Sequence, residues 1–186
     1  MGIAQTIQPN RHYTYSDYIS WDDDVRYELI DGTPYMMSSP SQIHQEIVAR
    51  FTQKLMNFLE GKPCKIYPAP FDVRLNADKG DDIVVQPDIL VVCDMSKLDG
   101  KACVGAPDMI IEILSPSTAQ QDKITKLNLY RTARVREYWI VDPDSKSVHI
   151  FLLKDNEYFV EAYANPDTAP VHVLEGCDIN LLEIFD

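Results

Sequence analysis

Two apolar runs each hold one acid. Residues 84–93 read VVQPDILVVC and carry Asp88; residues 107–115 read PDMIIEILS and carry Glu112. Runs of this length, rich in Val and Ile, predict strands buried on both faces. A carboxylate is costly to bury there unless a metal ion, a cation or several donors compensate it. Two such acids on neighbouring strands predict a divalent-metal site. Mg²⁺ (or Mn²⁺) suits an oxygen-only set; it keeps waters, lowers the pKa of one of them and stabilises charge on a phosphoryl oxygen. Asp108 competes for the second acid. It stands four residues before Glu112 in the same run, about 13 Å away at the rise of a strand, too far to share one ion. Asp88 is therefore preferred, and Asp108 marks the start of a strand.

A helix is predicted over 117–133. Asp122, Lys126 and Tyr130 recur every fourth residue and lie along one face. Leu129 and Ala133 share that arc, which favours an inward Lys126 seeking a carboxylate. Ile124 and Leu127 lie on another arc, so periodicity leaves open an ordinary amphipathic helix with Lys126 in solvent. From 123 to 136 the chain carries Lys123, Lys126, Arg131, Arg134 and Arg136 without an acid. Lys123, Arg131, Arg134 and Arg136 are the candidate contacts to nucleic acid. The net charge of −12 argues against a general nucleic-acid binder, since phosphate affinity rests on Lys and Arg. A local basic patch is compatible with it.

Other residues have weaker claims. His44, on the arc of Val48, Phe51 and Leu55, is either a hydrogen-bonded core or capping histidine or a group lining the site. Tyr138 and Trp139 read as core. Ser115-Pro116-Ser117-Thr118 reads as the cap of the second helix, because no GxSxG surrounds it and no histidine follows before His149. Gly80 and Gly100 are isolated, so no phosphate-cradling loop is predicted. The four cysteines form no CxxC pair, which argues against structural zinc; Cys93 reads as a buried core thiol.

The elements that must position these groups follow from pattern. Residues 1–12 read as a loose arm and Thr14–Trp21 as a short helix. Arg26–Ile30 and Thr33–Met37 flank Asp31-Gly32, a hairpin signal. Ser39 as N-cap, Pro40 as first helical residue and Gln42 predict a helix start. Ile43, Ile47, Phe51, Leu55 and Phe58 give that helix an apolar face, and Gly61-Lys62-Pro63 ends it. Strands are predicted at Phe71–Leu75, Val84–Cys93, Met109–Leu114, Val135–Val141, Val148–Leu153, Glu157–Tyr163 and Val171–Leu174, with a docked LLEIF tail. With 186 residues, 45% of them hydrophobic, the chain suits one domain, a mixed sheet with helices against it. It has no apolar h-region and no span long enough to cross a bilayer, so it reads as cytoplasmic and reduced.

The ordered set Arg26-Tyr27-Glu28-Leu29-Ile30-Asp31-Gly32, Ser39-Pro40 with His44, Gln86-Pro87-Asp88-Ile89, Gly105-Ala106-Pro107-Asp108, Glu112 through Thr118, Asp122, Lys126, Tyr130 and Glu137 through Pro143 resembles the Uma-two family. That bacterial group is assigned to the PD-(D/E)XK restriction-endonuclease-like superfamily. The likeness spans about residues 13–155. It implies an α/β fold, a restriction-endonuclease-like mixed β-sheet flanked by helices with a C-terminal β extension. The implied layout is an arm at 1–12 and one domain at 13–186, with its core at about 26–155. It also implies Mg²⁺-dependent hydrolysis of DNA phosphodiester bonds, and a homodimer by analogy. The superfamily's acids match Asp88 and Glu112, with the backbone carbonyl of Ile113 as a further metal ligand. Its lysine belongs at 114, where this chain has Leu114; the family's displaced lysine points to Lys126, supported by Tyr130 and Asp122. Superfamily members often add a glutamate from the first core helix, here Glu46, with Glu28 as the alternative. The empty lysine slot and the acidic charge leave two other readings: an inactive nuclease core that binds or regulates, and a hydrolase of small phosphate esters. A Lys126 ammonium within about 5 Å of both acids favours catalysis.

Overall fold

The computed structural model describes residues 8, 10–22, 24–115 and 121–186, with only the backbone for 121–123. The Ser117-Thr118 cap, most of the arm and the side chains of Asp122 and Lys123 lie outside the described residues. In chain order the elements are α1 (Tyr15–Tyr18), β1 (Tyr27–Ile30), β2 (Thr33–Met36), α2 (Gln42–Leu59), β3 (Lys65–Pro68), β4 (Asp72–Arg74), β5 (Val84–Val85) and β6 (Ile89–Val92). They continue with β7 (Ala102–Val104), β8 (Met109–Ile113), α3 (Gln121–Ala133), β9 (Glu137–Asp142), β10 (Ser147–Lys154), β11 (Glu157–Ala164), β12 (Thr168–Val171), β13 (Cys177–Asn180) and α4 (Leu182–Phe185).

A six-stranded sheet, β11-β10-β9-β8-β6-β3, carries the core, and a five-stranded sheet, β2-β1-β5-β4-β7, lies beside it. β8 and β9 run parallel, so α3 is the crossover that parallel neighbours require. Odd and even residues of β8 face opposite sides. Met109, Ile111 and Ile113 pack with Phe51 and Leu55 of α2, Trp139, and the C-terminal Ile184 and Phe185. Ile110 packs on the other side with Tyr130 of α3, Tyr138, and Val73 and Val85 of the smaller sheet. Glu112 therefore lies on the α3 side.

The structure corrects several expectations. α2 is capped by Ser41, whose side chain accepts from the His44 amide, so the helix starts two residues after Pro40. Its buried stripe is His44, Ile47, Phe51, Leu55 and Leu59, and Ile43 is exposed. The run 84–93 is two strands in two sheets. Pro87 has no N–H for a ladder, and the Gln86 amide donates to the Glu28 side chain instead. The chain therefore changes sheets at 86–88. Cys93 is not a free thiol: it forms a disulfide with Cys64. Those residues flank β6 and β3, which pair antiparallel with Lys65 opposite Val92, so the register sets Cys64 opposite Cys93. β3, β7 and β13 carry no strong alternation and were not predicted from pattern.

Candidate active site

Asp88 and Glu112 meet across a strand pair. β6 and β8 are antiparallel, with Ile89 opposite Ile111 and Leu90 opposite Ile110. One more step of that register sets Asp88 opposite Glu112. Asp88 is held from two sides: its Oδ2 accepts from the Ile113 amide at 2.8 Å and lies 3.2 Å from His44 Nε2. His44 thus lines the site, delivered by the first turn of α2. Burial opposes its imidazolium, but the hydrogen bond and charge of Asp88 outweigh that and raise its pKa above the ordinary histidine value.

Lys126 points inward. Its Nζ is 3.0 Å from Glu112 Oε1 and 2.9 Å from Glu28 Oε1. The question left open by periodicity is resolved by Ile124, which is 67% exposed and gives the opposite face to solvent. Tyr130, one turn on, is buried and donates its hydroxyl to Glu112 Oε1 at 2.7 Å. Burial pushes Glu112 up to about 7; Lys126 opposes the shift, and Asp88 and Glu28 add to it. Burial would lower Lys126, but Glu112 and Glu28 outweigh it and hold the ammonium well above its usual value. The proton that comes and goes near neutrality therefore sits on Glu112, and Lys126 keeps its own.

Glu28 comes from the smaller sheet and is 6% exposed. Besides Lys126 it accepts from the Gln86 amide at 3.0 Å. The Gln86 side chain accepts from Arg26 Nε and Nη2 at 2.9 and 2.7 Å, and donates to Tyr18 and Asp72, each at 2.9 Å. Arg26, Gln86, Tyr18 and Asp72 have no site role in the sequence reading. A signal for Gln86 was present: a second polar residue in the VVQPD run.

Other candidates lie elsewhere. Glu46 is exposed on α2 and accepts from Gln42 at 2.8 Å, so it does not join the acids. Arg136 pairs with Asp108 at 2.9 Å, and Asp108 precedes β8 at the end away from Glu112. Arg134 ends α3 near that same end, with φ of 69°, and Arg131 pairs with Glu157 at 2.8 Å.

The donor set fits a dication. Asp88, Glu28 and Glu112 set three carboxyl groups against the one ammonium of Lys126 in a largely desolvated site. No described residue donates to Asp88 Oδ1 or Glu112 Oε2. Among the described residues no group of three His, Cys, Asp or Glu side chains is disposed to hold a metal. Mg²⁺ does not need three, since it binds through one or two carboxylates and retains waters.

Two Synechocystis sp. proteins, slr1290 and sll1609, both described as uncharacterized, are 26% and 25% identical over 143 and 134 residues. They cover 75% and 69% of this chain, and the match spans 74% of each relative. A crystal structure from Anabaena variabilis, described as "a putative nuclease belonging to DUF820", superposes with a TM-score of 0.74. Its identity is 20%, over 92% of this chain and 97% of that one. That likeness bears on the fold, and the fold is the α/β, nuclease-type arrangement of sheet and helices expected from the sequence. The sequence pattern of the Uma2 family, described as "Putative restriction endonuclease", matches residues 15–182, and the chain belongs to that family.

Proposed function

We propose that this protein is a divalent-metal-dependent nuclease that hydrolyses DNA phosphodiester bonds, with Mg²⁺ or Mn²⁺ as its metal. One observation carries the proposal: a lysine from α3 sits beside Glu112 in the buried site although the superfamily's slot at 114 holds leucine. A buried ammonium is costly on a surface built only for stability. The same charge beside the metal-binding acids can stabilise a developing phosphorane charge.

Asp88, Glu112 and the carbonyl of Ile113 are the groups that would hold the metal. Bound there, the metal supplies a water of lowered pKa and charge stabilisation at the phosphoryl oxygen. Asp88 is fixed by the Ile113 amide and His44, so its second oxygen is presented without a rotamer search. Tyr130 holds Glu112 by its hydroxyl. Lys126 orients the attacking water and places positive charge beside it, with Glu28 keeping the ammonium in position.

Calorimetric titration with Mg²⁺ and Mn²⁺ tests the metal site, and a substrate panel of DNA, RNA and small phosphate esters tests the reaction. Wild type should bind metal and cut DNA, and Glu112→Gln and Asp88→Asn should lose metal affinity tenfold or more. A second reading draws on Leu114 and the net charge of −12: a nuclease-like core that binds without cutting. Wild type that binds metal but cuts nothing in the panel would support that reading instead.

A further inference from the structure

Arg26 directly precedes β1. Side chains two apart in a strand leave on one face, so Arg26 starts on the Glu28 side, and its guanidinium then turns to the Gln86 side chain, beside Tyr18 and Asp72. Tyr35 of β2 stands opposite Glu28 in register and therefore shares that face too. Glu28 is buried beneath Lys126, whereas Tyr35 is 53% exposed. The face is closed at the carboxylate and open one strand outward, which makes Arg26 and Tyr35 the rim of the site.

Arg26 has no carboxylate partner among the described residues, and neither has Arg50, which donates to the backbone carbonyls of Glu183 and Ile184. Arg11, Arg74, Arg131 and Arg136 each meet a carboxylate. Arg26 is held at Nε and Nη2 by one neutral amide oxygen, that of Gln86. A guanidinium has five N–H donors, and no described residue accepts from Nη1. The side-chain amide is fixed against a flip, because its Nε2 donates to the Asp72 carboxylate and the Tyr18 oxygen. The guanidinium is thus fixed in direction while its charge stays unneutralised by any ion pair among the described residues. Arginine so oriented matches the planar, two-oxygen demand of a phosphate. Gln86 joins it to Glu28: the side-chain amide accepts from Arg26, and the backbone N–H donates to the carboxylate that holds the Lys126 ammonium.

We propose that the β1–β2 hairpin is the substrate grip of this site: Arg26 binds a backbone phosphate flanking the scissile one, and Tyr35 stacks on an adjoining base. The inference rests on the nuclease reading. It accounts for how a chain of net charge −12 holds a polyanion: the positive charge is local and pre-aimed.

The test is binding of short fluorescein-labelled single-stranded and duplex oligonucleotides, in Ca²⁺ to limit cleavage, across a salt series, with cleavage measured in Mg²⁺. Arg26→Gln should weaken binding about tenfold and reduce the salt slope by about one, the signature of one lost phosphate contact. Arg26→Lys should bind less well than wild type at an unchanged slope. Tyr35→Ala should lose about tenfold in affinity without changing the slope, and Tyr35→Phe should restore it. Mg²⁺ titration should stay close to wild type in all four. If wild type binds and cuts while Arg26→Gln keeps its affinity and slope, the grip is wrong and the nuclease reading stands. If Arg26→Gln does not fold, wild-type affinity in both Arg26→Lys and Tyr35→Ala overturns the grip instead. A wild type that neither binds nor cuts any oligonucleotide overturns both.

Discussion

Lys126 carries the largest catalytic expectation of any single side chain. Lys126→Met should lower metal-dependent hydrolysis by about 10²-fold or more, as for loss of a preorganised charge donor, while metal binding is nearly retained. Leu114 shares the α3 side of the sheet and packs with Tyr130 and Tyr138. Leu114→Lys in the Lys126→Met background should therefore recover part of the rate; equal cutting by Lys126→Met and wild type would remove the lysine from the mechanism. Glu112 gives a pH dependence of known sign. Its folded pKa, about 7 because of burial, exceeds its unconstrained value of 4.5. The folded form thus binds the extra proton, so this contribution to stability is complete below about 4.5 and lost as pH rises through 7. Chemical denaturation of metal-free protein across that window should show the decline, and Glu112→Gln should flatten it. An equal decline in the variant would trace the effect to another group.

At the scale of elements, the hairpin and the helix caps decide where these side chains land. Asp31 and Gly32 both take positive φ, 48° and 71°, as a two-residue turn of this hand needs. A Cβ on Gly32 would run into the His12 ring. Gly32→Ala should therefore cost about 1–3 kcal/mol in a denaturant melt and weaken metal-dependent activity by displacing Glu28; a melt like that of wild type would show that the turn tolerates a side chain. The hairpin was legible because Asp-Gly between short apolar runs has few other solutions. Asp88 and Glu112 were legible because each breaks an apolar run. Glu28 stayed only an alternative, because its pairing with Lys126 spans 98 residues and no local pattern encodes it. The break at Pro87 was missed because apolar residues continue on both sides of it. Ser41 rather than Ser39 caps α2, although both precede an amphipathic run; the observed register buries His44 and leaves Ile43 in solvent, an outcome set by tertiary packing.

For the whole molecule, one device fastens the edge of the six-stranded sheet and another fastens the tail to it. The Cys64–Cys93 disulfide closes a loop of 29 residues between β3 and β6. Its reduction should lower unfolding free energy by about 2–4 kcal/mol, measured with and without reductant and compared with a Cys64→Ser, Cys93→Ser double variant; no difference among the three would make the bridge energetically silent. Glu137, fully buried, accepts from Trp139 Nε1 and from the amides of His172 and Val173, which clamps the segment after β12 to the sheet. Among the described residues no helix is long and apolar enough to cross a membrane.

The 98 residues between Glu28 and Lys126 have a consequence during synthesis. Three carboxylates leave the ribosome before the ammonium that balances them, and β8 gains its parallel neighbour only once β9 has followed. A nascent chain therefore carries the acids without the cation, and the hydrolysis proposed for this site would have to wait until nearly three-quarters of the polypeptide has been made. Ribosome-arrested chains ending before residue 126 should show no metal-dependent cleavage, and cutting by such a fragment would break the link between completion and activity.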